Sequence, residues 1–198
     1  MSTSTTPLAL PAGPPPAPRR QVLVGAVLAC AAGTALIAGM LGLWLKMRDR
    51  AIDAGTGWVP KDVSINMVAP NTMLLAFIPA CVFAQWAVYS AKRNDRAHAG
   101  LALGLTAVLG IAIVNAQAFV FNQIHLPAKG TVYHSLFYAV TGTFVVLAIV
   151  GIGLSVVTAF RYLGGRSPNR ELVAAHALYW YFLAAAFAAV WFVVYVTK

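Results

Sequence analysis

The chain has 198 residues, of which 60% are hydrophobic and 10% charged, with a mean hydropathy of +0.76. That is too apolar for a soluble domain of this length, and the chain reads as an integral membrane protein. The net charge of +9 would suit a nucleic-acid binder, but the basic residues fall in short clusters between apolar runs, as in membrane-flanking loops, so no nucleic-acid partner is expected.

Residues 1 to 20 hold six prolines and no helical period. They read as a disordered tail ending in Arg19-Arg20, ahead of a transmembrane domain over 21–198. Val27-Leu28-Ala29-Cys30 resembles a lipoprotein cleavage box, yet the apolar run continues to Leu45, which reads as a span rather than a processed leader.

Five uncharged runs follow, Val22 to Leu45, Met67 to Ala91, Ala99 to Ile124, Ser135 to Phe160 and Leu172 to Thr197. Each is long enough, at about 1.5 Å per residue, to cross a hydrocarbon core of about 30 Å. Nothing alternates with period two, so the fold class is an all-α bundle of five transmembrane helices rather than a barrel. Eight Lys and Arg flank the side that carries the tail and six flank the other. This predicts a cytoplasmic N-terminus and an external C-terminus.

Packing is expected through small residues, namely Gly25, Ala29 and Gly33 in the first span and the Gly100/Gly104 pair in the third. Pro79 is expected to kink the second span and free a carbonyl. Cys30 and Cys81, inside apolar runs, read as small buried packing residues rather than metal ligands or a disulfide. Trp44, Trp58, Trp86, Tyr89, Tyr133, Tyr138, Tyr162, Trp191 and Tyr195 sit toward run ends, as in an interfacial aromatic belt.

All five acidic residues, Asp49, Asp53, Asp62, Asp95 and Glu171, lie in connections or at helix ends. Proton pumps and ion-coupled transporters use embedded ionisable groups, and this pattern supplies no carboxylate for one. His98, His125 and His134 fall at interfaces and His176 about one turn into the last span, a spread that reads as interfacial or packing residues rather than haem or copper ligands. No catalytic and no metal-binding residue is expected. Asn115 and Gln117, the strongly polar side chains of the third span, are expected to hydrogen-bond to another helix.

The fourth and fifth spans carry a family resemblance. Tyr133, His134, Ser135, Leu136, Phe137, Tyr138, Thr141 and Gly142 follow a Y-G-S-x-F-Y-x-x-T-G pattern, and Tyr179, Trp180, Tyr181 and Phe182 an aromatic Y-W-H-F frame. Trp58-Val59-Pro60 resembles a W-P-P element, and Asn71-Thr72 an N-T element. The third span, from Leu109-Gly110 to Phe121, resembles a stretch ending Q-x-Y-E-Y. Together these resemble subunit III of the haem-copper (cytochrome c) oxidases in its shorter five-helix form. Phe144 and Leu147 stand where the family pattern has histidines, Val120 where it has a glutamate, Gly33 near an acidic position, and Ala184 where it has an aspartate.

The resemblance implies a cofactor-free, non-catalytic subunit of a terminal oxidase in a bacterial cytoplasmic membrane. Such a subunit packs against subunits I and II, which carry haem and copper, and binds membrane lipids. Trp58, Asn71, Asn115, Gln117, Tyr138, Thr141, Gly142, Tyr179 and Trp180 become candidate lipid- or subunit-packing residues. The same resemblance fits an accessory subunit of a nitric-oxide reductase. A small-solute transporter is a third reading, in which Asn115 and Gln117 line a path.

Overall fold

The computed structural model describes residues 20–60, 66–124, 131–165 and 170–197. The tail before residue 20 lies outside them, as do His125, Lys61, Asp62, Lys129 and Arg166.

Among the described residues the chain forms α1 (Gln21–Asp53), α2 (Val68–Lys92), α3 (Arg96–Ile124), α4 (Val132–Gly164) and α5 (Arg170–Val190), with α5 running into a π-helical turn, Trp191–Val196. All five are long and apolar enough to cross a membrane. The chain is therefore a multi-pass, all-α membrane protein, as expected.

The helices run past the ends of the uncharged runs, and two of these extensions have a clear local cause. α1 continues eight residues past Leu45, to Asp53, because Lys46 to Asp53 contains no helix breaker and solvates its charges beyond the apolar span. Gly55 and Gly57, at φ +67° and +72°, then turn the chain back toward the bundle. α4 begins at Val132, ahead of the uncharged run, where the Thr131 backbone N–H donates to His134 Nδ1 at 2.9 Å. His134 is therefore a capping residue of α4.

α5 is the central helix. Half of its most apolar stretch is buried, against 11% for α1, and α1, α2 and α4 all pack on it. α3 closes the bundle between α2 and α4, while α1 packs on α5 and α4 rather than on α2. The interior falls into three layers. One end holds Trp44, Trp58, Tyr133, Phe137 and Tyr195, the middle Phe77, Phe144, Trp180 and Phe187, and the other end Ala87, Ala91, Leu103 and Tyr162.

The aromatic belt needs correction. Trp44, Trp58, Tyr133, Tyr162 and Tyr195 are buried in the protein rather than exposed at the bilayer boundary, because helix ends converge on them from three or four sides. The small-residue stripe of α1 is likewise used at one position only. The tip of the Phe182 ring comes against Gly33, where a Cβ would lie 2.6 Å from Cζ, while Gly25 faces open space. In the α3 pair, Gly100 meets Leu163 and Gly104 meets nothing.

Candidate functional site

The middle layer owes its geometry to two glycines to which the sequence reading gave no packing role. A Cβ on Gly110 in α3 would meet the Trp180 indole at 2.7 Å, and one on Gly151 in α4 would meet Leu183 at 2.7 Å and Tyr179 at 3.2 Å. Their bare backbones let α5 place its Tyr179-Trp180 pair directly against α3 and α4.

A buried polar chain grows from that contact. Trp180 Nε1 donates to Ser155 Oγ at 3.0 Å, and His176 Nε2 lies 2.8 Å from the same oxygen. Ser155 in turn donates to the Gly151 carbonyl at 2.9 Å. The hydroxyl has one proton and two lone pairs, so with its proton on Gly151 it accepts from both rings. That assigns the proton of His176 to Nε2. Nδ1 is buried and has no partner among the described residues. Tyr179 extends the α4–α5 seam by donating its hydroxyl to the Leu147 carbonyl at 3.0 Å.

Toward the opposite end, the Tyr195 hydroxyl lies 3.2 Å from Nε2 and 3.3 Å from Oε1 of buried Gln117. Gln117 thus finds the helix partner expected of it. Asn115 does not: it is exposed on the outer face of α3, with no hydrogen bond to another helix among the described residues, since residues two apart on a helix point about 200° apart. Asn71, at the start of α2, accepts from Trp191 Nε1 at 2.9 Å.

Of the remaining candidates, Trp58 stands edge-on to Trp44 with ring centroids 5.1 Å apart, and Tyr138 packs on Phe121 at 5.3 Å. Thr141 is buried and bonds back to the Phe137 carbonyl. Gly142 is half-buried, and a Cβ there would meet nothing within 4 Å. The structure brings Tyr179 and Trp180 together with Ser155 and His176, and Gln117 with Tyr195. Trp58 shares the end layer with Tyr195, while Asn115 and Gly142 stand apart from both groups.

Where the family-like pattern had histidines and a glutamate, the interior is packed with carbon. Phe144 lies tilted against Phe187 and edge-on to Phe77 at centroid distances of 4.9 and 6.0 Å, and Val120 is buried in the end layer. Cys30 and Cys81 are half-buried free thiols, and Cys81 Sγ lies 3.9 Å from the Trp180 carbonyl. Among the described residues no three His, Cys, Asp or Glu side chains converge as a metal site would require.

Five spans, a polar interior made of hydroxyl, indole and imidazole hydrogen bonds, and aromatic fill at mid-depth define a helical membrane scaffold. The family model for cytochrome c oxidase subunit III matches residues 44–198. The chain belongs to that family. It is similar to cytochrome c oxidase subunit 3 of Drosophila yakuba, 29% identical over 74% of this chain and 56% of the relative, and of Tragelaphus imberbis, 31% identical over 73% and 56%. A bacterial relative of the same name, from Corynebacterium diphtheriae, is 24% identical over 88% of this chain and 87% of its own length. The chain thus spans about half the length of the animal relatives and most of the bacterial one.

Proposed function

We propose that this chain is the non-catalytic subunit III of a haem-copper terminal oxidase, in a bacterial cytoplasmic membrane. It packs against subunit I, within reach of subunit II, and holds membrane lipids on its outer faces. It binds no cofactor itself, and the haem and copper belong to its partners. The N-terminus lies in the cytoplasm and the C-terminus outside, as the distribution of Lys and Arg favours.

The observation that carries this reading is the family match over 44–198 on a bundle whose mid-depth positions are filled by Phe77, Phe144 and Phe187. A subunit whose work is packing needs shape, and shape is what these positions supply. A nitric-oxide reductase partner is less favoured, because the relatives carry the oxidase name. Transport through Asn115 and Gln117 is disfavoured by their placement, one facing outward and the other bonded to Tyr195.

The test is affinity purification of the tagged full chain from gently solubilised membranes of its own organism. The expected result is a complex with the absorption spectrum of haem, which the chain expressed alone lacks. Recovery of the chain from those membranes without any haem-bearing partner overturns the proposal.

A further inference from the structure

At the end of the bundle where α1 stops and α4 starts, four buried hydrogen-bond donors have no partner among the described residues. They are Trp44 Nε1, Arg48 Nε, Trp58 Nε1 and the Tyr133 hydroxyl. Buried donors left unmatched are costly and uncommon, and four at one end of one bundle call for a common acceptor. An indole N–H and a guanidinium can only donate, so the partner that matches this set is an acceptor.

Three of the four stand against one another, two of these, Trp58 and Tyr133, line a cavity, and Arg48 lies outside that lining, along α1. Trp44, Trp58 and Tyr133 have ring centroids 5.1 to 5.4 Å apart. Arg48 is one turn beyond Trp44 on the same face of α1, and Ala51 continues that face. Ala51, Gly57, Trp58, Thr131 and Tyr133 are among the residues lining a cavity of about 320 Å³. The first turn of α4 opens on this cavity at Val132, and the positive end of its dipole adds to the charge of Arg48. Among the described residues the carboxylate paired with Arg48 is that of Asp49, which is largely exposed; its Oδ1 lies 3.7 Å from Arg48 Nη1, too far for a hydrogen bond and not engaged with Nε.

We infer that this cavity is an oxyanion site for a phosphate group, held by the Trp58 indole and Tyr133 hydroxyl with Arg48 supplying the charge. The phosphate comes either from a phospholipid headgroup at the bilayer boundary or from the free ion. This site is separate from the scaffold role proposed above and does not depend on it, so failure of the haem co-purification leaves it untouched.

The test uses the purified full chain in a neutral detergent, with its own tryptophan emission as readout, because Trp58 lines the cavity and Trp44 packs edge-on against it. Three probes are titrated, namely inorganic phosphate, dihexanoylphosphatidylglycerol, and dihexanoylglycerol, which has the same acyl chains and no phosphate. Saturation by inorganic phosphate supports the site with the free ion as ligand. Saturation by the phospholipid but not by inorganic phosphate or dihexanoylglycerol supports it with a headgroup as ligand. Arg48→Gln and Tyr133→Phe keep both indoles and should weaken the midpoint, the first by about tenfold and the second by severalfold. Arg93→Gln, at the other end of the bundle, should leave it unchanged, and circular dichroism establishes that each variant is folded. The inference is overturned if neither phosphate probe saturates, if dihexanoylglycerol saturates as the phospholipid does while inorganic phosphate does not, or if folded Arg48→Gln and Tyr133→Phe bind like the parent.

Discussion

His176 Nε2 and Ser155 Oγ lie 2.8 Å apart in the fully buried seam between α5 and α4, with Trp180 Nε1 donating to the same oxygen at 3.0 Å. One hydroxyl thereby satisfies two rings of the central helix. Ser155→Ala should leave both N–H groups unmatched and lower stability by about 1–3 kcal/mol. Thermal unfolding followed by tryptophan emission, sensitive to Trp180, checks this. Ser155→Thr, which keeps the hydroxyl, should lose less.

The fit of Trp180 against Gly110 makes a second, independent prediction. A side chain on Gly110 enters the space of the indole and of Ile152, both 2.7 Å from its Cβ position. Gly110→Val should therefore be destabilising by about 1–3 kcal/mol or prevent a unique packing of α3 on α5. Gly104→Ala is the control. It lies on the same helix with nothing within 4 Å of its Cβ position and should unfold at the parent's temperature.

These two sites also mark what was legible in the sequence. Spans are written in local hydropathy, so all five were visible, and the Tyr179-Trp180 pair stood out as adjacent aromatics. The Ser155–His176 contact was not visible, because it depends on the register at which antiparallel helices slide together, and no local pattern records that register. The same holds for Gly110, which matters only because an indole from α5 arrives there. Gln117 was legible as a buried polar group, whereas its partner Tyr195 read as part of an interfacial belt. Asn115 was read alongside Gln117 as bonding to another helix, but residues two apart point about 200° apart, so the face that buries Gln117 turns Asn115 outward.

The α2–α3 turn carries a pH prediction outside the membrane spans. The His98 backbone N–H donates to Asp95 Oδ1 at 3.1 Å, and its ring Nδ1 lies 2.6 Å from Oδ2. The backbone bond first, with the side-chain bond and the charges of His98 and Arg93 behind it, holds the Asp95 carboxyl below its ordinary range. Because the folded value is depressed, this contribution is present above the ordinary carboxylate pKa and is lost as the pH falls through the folded one. Hydrogen exchange at the His98 amide should accelerate relative to the core of α3 as the pH drops below about 4. In Asp95→Asn that relative acceleration should disappear.

Glu171 holds the least buried helix at its start. Its Oε1 accepts from the Leu23 backbone N–H at 2.9 Å, so a carboxylate in the first turn of α5 caps the first turn of α1 across 148 residues of sequence. Elsewhere α1 is secured by Phe182 on Gly33 and by Trp44 in the end layer, and among the described residues this bond is the polar contact that ties its N-terminal turns to another helix. Glu171→Ala removes both the acceptor and the negative charge that favours a helix N-terminus, a loss of about 0.5–2 kcal/mol by analogy with ordinary N-caps. Because that loss falls on α1 alone, amide exchange should rise by up to about thirtyfold over the first two turns of α1, with the amides of α2, α3 and α4 unchanged. Glu171→Gln keeps an acceptor oxygen without the charge and should fall between the two. A uniform rise in exchange across all five helices would mean instead that Glu171 supports the whole bundle, and the docking of α1 would have to be sought in Gly33 and Phe182.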